Sequence, residues 1–144
     1  MKHFWEQRPV LCSLPVLLLL SGCGGVELEC DTLDARDSVV KIVSGDSNNK
    51  LVNYAAKNSS VVEARVNNAS TDAEKSEILE MARQGASYRL GDAIGTNSES
   101  KRAVTCSGLL YVTVEDATAE KQVDFAVEQE PDGRVSVSVS PFQF

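Results

Sequence analysis

Hydrophobic residues recur at helical spacing between residues 31 and 85, and from there to residue 140 they alternate with polar residues. Spacings of three and four residues place side chains on one face of a helix, whereas alternation is typical of a half-buried strand. The first pattern predicts helices over about 32–43, 47–57 and 71–84. The chain should therefore place its helices before its strands.

Polar residues mark the starts of these helices. Thr32 or Asp31 can cap the first helix and Ser47 the second, because a short polar side chain can accept a hydrogen bond from a free backbone N–H. Thr71 and Glu74 have the spacing of a capping box at the start of the last helix. The side chains expected to face the core are Val39, Val40, Ile42 and Val43, then Leu51, Val52, Tyr54 and Ala55, and then Ile78, Met81 and Ala82.

Residues 61–68 fit two structures. Their three valines suit a strand, because β-branched side chains pack well on a sheet. Ser60 followed by Glu63 has capping-box spacing, which favours a helix. We favour the helix.

The alternating half predicts strands over about 86–96, 101–115, 122–129 and 134–140. Between the last two lies Pro131-Asp132-Gly133, a turn in which proline presets one dihedral angle and glycine takes the positive φ. The inward-facing residues expected on the strands are Tyr88, Leu90 and Ile94, then Val104, Cys106, Gly108, Leu110, Val112 and Val114, then Val123, Phe125 and Val127, and finally Val135, Val137 and Val139.

Helices followed by hairpin-linked strands predict an α+β fold. The N-terminal helices should pack on one face of a four-stranded antiparallel meander, and the other face should meet water. This order resembles cystatin-like and nuclear-transport-factor-like rolls. Such a likeness concerns the fold and implies no function.

The start of the chain has the layout of an export signal. Lys2 and Arg8 make it positive, and an apolar run follows over residues 10–20. The run has 11 residues, whereas a helix needs roughly 20 to cross a bilayer. A permanent transmembrane anchor is therefore disfavoured.

The apolar run ends in Leu20-Ser21-Gly22-Cys23, which resembles the lipobox of bacterial lipoproteins. In that family the cysteine thiol receives a diacylglycerol and the peptide is cut just before it. The resemblance implies that Cys23 is the lipid-attachment residue. Because Gly24 follows rather than aspartate, it also implies sorting to the outer membrane of a Gram-negative host, facing the periplasm.

The lipobox resemblance divides the chain into a signal peptide over 1–22, a short tether over 23–29 and a single domain over 30–144. The whole chain has a net charge of −7. The signal peptide carries +1, so the remaining 122 residues carry −8. A negative domain is repelled by nucleic-acid phosphates and by anionic head groups. We therefore expect attachment to the membrane through acyl chains, and no nucleic-acid partner.

The four cysteines have separate expected fates. Cys12 would leave with the signal and Cys23 would carry the lipid, so that Cys30 and Cys106 remain as a pair. In an oxidising compartment a disulfide is the expected state of such a pair. Free thiols or a metal pair are the alternatives, and two cysteines without histidine make a poor metal site.

His3 is the sole histidine of the chain, and it lies in the signal segment. A mature chain without histidine cannot use Ser-His-Asp chemistry and lacks the commonest metal ligand. Ser47 to Lys50 and Ser98 to Lys101 match a Ser-x-x-Lys spacing, but the companion motifs of penicillin-binding enzymes are missing. We expect no cofactor, no metal and no catalytic residue.

The long strand predicts an apolar patch on the wet face of the sheet. If the valines of this strand face inward, Leu109 and Tyr111 must face outward, because side chains alternate along a strand. Phe142 and Phe144 add aromatic rings near the carboxyl end. Such a patch can mark a partner site. Alternatively, the tail or the amino-terminal linker folds over it.

These observations predict a membrane-anchored periplasmic lipoprotein that acts as a non-catalytic binding or assembly module, with another envelope protein as its partner. Two alternatives stay open. One is an enzyme or inhibitor of the cell envelope that works through carboxylates, whose spacing no sequence pattern defines. The other is an accessory subunit of a secretion or conjugation machine.

Overall fold

A computed structural model describes residues 26–47 and 49–140. In these residues four helices precede four strands. The elements are α1 (Leu33–Gly45), α2 (Lys50–Asn58), α3 (Ser60–Asn68), α4 (Asp72–Gln84), β1 (Ser87–Glu99), β2 (Ala103–Val114), β3 (Ala117–Gln129) and β4 (Val135–Val139).

The strands form one antiparallel sheet in the order β1-β2-β3-β4. Helix α1 lies against β1 and β4, and α2 lies against the central strands β2 and β3. Helices α3 and α4 pack on each other and on α2. The predicted α+β fold, with helices on one face of a meander, is confirmed. The likeness to cystatin-like or nuclear-transport-factor-like rolls stays a prediction.

Helix α1 begins as predicted, and α2 begins later than predicted. The Thr32 hydroxyl accepts a hydrogen bond of 3.1 Å from the backbone N–H of Ala35. The cap of α2 is Asn49 and not Ser47, so the helix begins three residues after the predicted start. Asn49 is buried, and its amide donates to the backbone carbonyl of Val43 at 3.3 Å. This one side chain therefore joins the end of α1 to the start of α2.

Residues 61–68 belong to a helix, as we favoured. The cap of α3 is Ser59, one residue before the predicted Ser60, and its hydroxyl accepts from the N–H of Val62 at 3.1 Å. Thr71 caps α4 by accepting from the N–H of Glu74 at 3.2 Å. Glu74 in turn accepts from the N–H of Ser70 at 2.8 Å, so the carboxylate reaches one residue beyond the capping box.

The core lies between the helices and the inner face of the sheet. Every predicted inward residue of β2 is buried. Leu51 of α2, Leu110 of β2 and Phe125 of β3 are among the largest side chains in this layer. The buried hydrophobic residues are Cys30, Ala35, Val39, Val43, Leu51, Val52, Ala55, Ala56, Val62, Ala82, Leu90, Val104, Cys106, Leu110, Val112, Val114, Ala119, Val123, Phe125 and Val127.

Four side chains predicted to face the core are exposed: Tyr54 by 60%, Met81 by 57%, Val135 by 49% and Ile42 by 40%. On α2 the buried residues occupy positions 51, 52, 55 and 56, a stripe that leaves Tyr54 on the opposite side. On α4 only Ala82 is fully buried. This helix lies on other helices rather than on the sheet, so its buried stripe is too narrow to include Met81.

Strand β3 begins at Ala117, five residues before the predicted start. It follows β2 through a two-residue turn, in which Glu115 has a φ of 52°. The turn between β3 and β4 is confirmed. The N–H of Gly133, with a φ of 86°, donates to the carbonyl of Glu130 at 2.9 Å. The carboxylate of Asp132 accepts from the N–H of Arg134 at 3.0 Å.

Cys30 and Cys106 form a disulfide across 76 positions of the chain. Their Cα atoms are 5.8 Å apart. Cys106 is fully buried on the inner face of β2, and Cys30 lies just before α1. The bond therefore holds the segment before the first helix against the middle of the sheet.

Candidate functional site

The outer face of the sheet lies opposite the helices, and it carries the patch that the alternation predicted. Leu109 is 41% exposed there and Tyr111 is half-buried. Leu109 pairs with Gln122 of β3, and Tyr111 pairs with Glu120. The structure therefore places the two residues side by side on the central strand.

Tyr111 is held by two residues of β1 that the sequence did not identify as part of the patch. The guanidinium carbon of Arg89 lies 4.5 Å from the centroid of the tyrosine ring, which is the geometry of a cation–π contact. A Cβ atom on Gly91 would lie 3.2 Å from the ring carbon Cε2 and 3.2 Å from the backbone oxygen of Leu109. Glycine at this position therefore leaves room for the ring against the backbone of β1.

Strand β1 is irregular beside the patch. Leu90 pairs with Leu110, but the next paired residue, Ile94, lies opposite Gly108, so β1 carries two extra residues. Bulges of this kind bend a strand and redirect its side chains. Gly91 stands in this bulge, and an isolated glycine within a strand pattern was the one sequence feature that could have indicated it.

Arg36 of α1 holds the bulge. Its guanidinium donates from Nη1 to the carbonyl of Gly91 at 3.0 Å and from Nη2 to the carbonyl of Asp92 at 3.0 Å. A longer bond of 3.4 Å reaches the carbonyl of Leu90. The Nε of Arg36 also pairs with the carboxylate of Asp31. One arginine from the helical layer thus stabilises the backbone on which Tyr111 rests.

The surroundings of the patch are polar and asymmetric in charge. On β3 the exposed carboxylates of Glu120 and Asp124 pair with Tyr111 and Ser107, the two residues that flank Leu109 on this face of β2. On the β1 side the charge near the ring is that of Arg89. A partner that matches this face would cover an apolar centre and place cations over β3.

Several residues of the predicted site lie outside the described part of the chain. These are the lipid-attachment residue Cys23 and the aromatic residues Phe142 and Phe144. The predictions that Cys23 carries the lipid and that the two phenylalanines extend the patch stay predictions. The disulfide residues, in contrast, are placed and bonded.

A cluster of hydrogen bonds lies at the turn between β2 and β3. Asp116 accepts hydrogen bonds from the Ser59 and Ser60 hydroxyls and from the N–H of Val61. These bonds, with Ser59 first, hold the pKa of Asp116 well below its usual range. Asp116 is solvent-exposed, and these hydrogen bonds join the β2–β3 turn to the start of α3.

A cavity of about 370 Å³ opens beside this turn, between α3, α4 and the sheet. Arg65 and Glu115 line it and form an ion pair with an Nη1 to Oε1 distance of 2.7 Å. Met81 contributes apolar surface. Both charged groups are solvent-accessible. Ion pairs of this kind contribute little to stability.

The serine–lysine pairs take structural roles in the fold. The Ser98 hydroxyl lies 2.6 Å from that of Thr105 on the neighbouring strand, and Lys101 is in the next turn. Ser47 lies in the turn before α2, where its carbonyl accepts from Arg83 at 3.5 Å. Among residues 26–47 and 49–140, no group of three or more His, Cys, Asp or Glu side chains could hold a metal ion.

Among the described residues, two carboxyl groups have shifted pKa values, those of Asp116 and Asp132, and both pKa values are lowered. Asp132 is the second of them, because the N–H and the guanidinium of Arg134 donate to it and lower its pKa. A general acid needs the opposite shift, toward neutral pH. Tyr88 has a raised pKa, which is caused chiefly by its burial.

Comparisons with protein-family models, with curated proteins and with solved structures yield no match. In the described part of the chain no helix is long and apolar enough to cross a membrane. The outer sheet face around Leu109 and Tyr111 is therefore a candidate site on physical grounds alone.

Proposed function

We propose that the protein is a lipid-anchored module on the periplasmic side of the outer membrane, which binds another envelope protein and performs no catalysis. Cys23 is its lipid-attachment residue, and the resemblance of Leu20-Ser21-Gly22-Cys23 to a lipobox supports this. Gly24 after the cysteine supports the outer membrane of a Gram-negative host.

The observation that carries the binding role is the seating of Tyr111 on the outer face. The ring is fixed between Arg89 and Gly91, while Leu109 beside it stays 41% exposed. A fixed aromatic ring gives up little conformational freedom on binding, and tyrosine offers a large apolar area with a polar tip. Tyrosine and arginine are also residue types that dominate the binding energy of interfaces.

The charges of the face indicate the chemistry of the partner. Glu120 and Asp124 on β3 favour a partner with lysine or arginine beside an apolar residue, because opposite charges across an interface guide encounter and orientation. The net charge of the whole chain, −7, acts in the same direction. A basic envelope protein with an exposed apolar side chain fits this face.

The test is site-specific crosslinking in cells that process the full-length chain. A photoreactive residue replaces Gln122, which pairs with Leu109 on the outer face. The double variant Leu109→Glu, Tyr111→Ser should lose the crosslinked adduct while its free energy of unfolding stays within about 1 kcal/mol of the wild type, as is usual for surface changes.

A matched control lies on the helical side, where Tyr54→Ser, Met81→Glu changes one exposed aromatic and one exposed aliphatic residue in the same way. The control should keep the adduct. The proposal for this face is wrong if the Leu109/Tyr111 variant keeps the adduct, or if both double variants lose it equally. If the Leu109/Tyr111 variant unfolds, the patch belongs to a covered core and the proposal is also wrong.

A further inference from the structure

Three exposed apolar side chains, Val26, Leu33 and Val135, lie together at one end of the domain. Val26 and Val135 line the same groove of about 250 Å³, and so do Thr32 and Asp34, the residues on either side of Leu33. Leu33 itself is 79% exposed in the first turn of α1. The apolar residues that form the floor of the groove are Ala35, Leu28, Val127 and Val137.

This end of the domain is where the β1–β2 and β3–β4 turns lie. Val135 is the first residue of β4, and it pairs with Gln129, the last residue of β3. The β2–β3 turn at Glu115 and the cavity beside it lie at the opposite end of the strands. Strand β2 has 12 residues, so the two ends are separated by about 40 Å along the strand.

The lipid-attachment residue is close to the first of these ends. Cys23 precedes Val26 by three residues, and three residues of extended chain span at most about 11 Å. A diacylglycerol on Cys23 therefore keeps the groove end at the membrane surface. At such a distance even a weak contact is favoured, because the tether makes it an intramolecular event with a high effective concentration.

We propose that Val26, Leu33 and Val135 rest on the lipid bilayer and orient the domain. The proposal depends on the lipidation of Cys23 in the proposed function. Burial of apolar side chains in the interface between head groups and acyl chains favours the contact. Glu27, Glu29 and Asp34 also line the groove, and they limit the depth of the membrane contact, because anionic carboxylates are costly to bury in lipid.

This orientation has a consequence for the binding face. In this orientation the strands run away from the membrane, and the outer sheet face around Tyr111 is exposed to the periplasm on the side of the domain. The cavity lined by Arg65 and Glu115 faces away from the bilayer, about 40 Å further out along the strands. A partner in the periplasm could then reach the face while the anchor stays inserted.

The test uses tryptophan fluorescence, because the mature chain has no tryptophan once Trp5 leaves with the signal. Leu33→Trp and Val135→Trp report on the groove end, and Met81→Trp is the matched control, since Met81 is similarly exposed and lines the cavity at the far end. Each variant is isolated in its lipidated, processed form, without residues 1–22, and is reconstituted in vesicles of phosphatidylcholine with brominated acyl chains. Thermal melts confirm that each variant is folded.

The proposal predicts that emission from Leu33→Trp and Val135→Trp shifts to shorter wavelength and is strongly quenched by the brominated lipid, whereas Met81→Trp is unchanged. Flotation of the vesicles reports separately on the anchor. If the protein floats but all three tryptophans stay unquenched, the membrane contact is wrong and the lipid anchor stands. If the protein does not float with the vesicles, the lipid anchor is wrong, and the proposed orientation is wrong as well.

Discussion

The carboxylate of Asp116 accepts a hydrogen bond of 2.6 Å from the hydroxyl of Ser59, 57 positions earlier in the chain. Ser59 is also the cap of α3, so one hydroxyl both accepts from the first turn of the helix and donates to the β2–β3 turn. Ser60 and the N–H of Val61 complete the contact. The helical layer and the sheet are thus joined at the end away from the disulfide.

This contact predicts a pH-dependent stability. The hydrogen bonds from Ser59, Ser60 and Val61 lower the pKa of Asp116 in the folded state, so its contribution is fully present above the unfolded pKa of about 3.9 and is lost as pH falls toward the folded value. Asp116→Asn should therefore be less stable than the wild type at pH 7, and the difference should narrow below about pH 4. Urea denaturation at both pH values measures it.

Asp37→Asn, at an exposed position on α1, is the control for the Asp116 prediction. It should cost little stability at either pH value, as is usual for a surface change. A deficit of Asp116→Asn that stays the same at low pH would show that the carboxylate charge does not stabilise the turn.

The disulfide should contribute substantially to stability. Loss of a bond that closes a loop of this length, 76 positions, costs on the order of 2–5 kcal/mol. Cys30→Ala and Cys106→Ala should each show such a loss in urea denaturation. The double variant should be no less stable than Cys106→Ala alone, because either single change already removes the cross-link.

Mass spectrometry checks the bond itself. Reduction of a folded soluble form that begins at Gly24, and so lacks Cys12 and Cys23, should add the mass of two hydrogen atoms for the Cys30–Cys106 pair. Two reactive thiols in the unreduced protein, or a double variant with the summed loss of both single variants, would be inconsistent with the bond.

Arg36 should matter more than other surface arginines, because its fork donates to consecutive carbonyls in the β1 bulge. The ammonium group of lysine is a compact charge without the planar fork of a guanidinium, so it cannot reproduce this geometry. Arg36→Lys should therefore lower the free energy of unfolding by about 1–3 kcal/mol. Arg65→Lys, in an exposed ion pair with Glu115, should change it by less than about 1 kcal/mol. Equal losses in the two variants would mean that the fork does not stabilise the bulge.

Most elements of the fold could be predicted because they have local markers. Alternating valines fixed the inward face of β2, and Thr32 and Thr71 marked the starts of α1 and α4. Such markers depend on neighbouring residues only. The same alternation placed Leu109 and Tyr111 on the outer face, which the structure confirms.

The remaining features depend on contacts between distant residues. No local pattern indicates that Arg36 would reach Gly91, 55 positions later, or that Asp116 would reach Ser59. The exposure of Met81 follows from the packing of α4 on other helices, whereas its spacing alone fits a core position. Sequence patterns therefore identified the patch but not the residues that hold Tyr111 in place.

The lipid on Cys23 is the central claim, because both the location of the protein and its orientation depend on it. Cells that produce the full-length chain are labelled with an alkynyl palmitate, and the protein is then isolated and examined for the label. The account predicts that the wild type carries the label and fractionates with membranes, and that Cys23→Ser carries no label and is released by a carbonate wash. An unlabelled wild type, or a Cys23→Ser variant that stays in the membrane fraction after the wash, would contradict it.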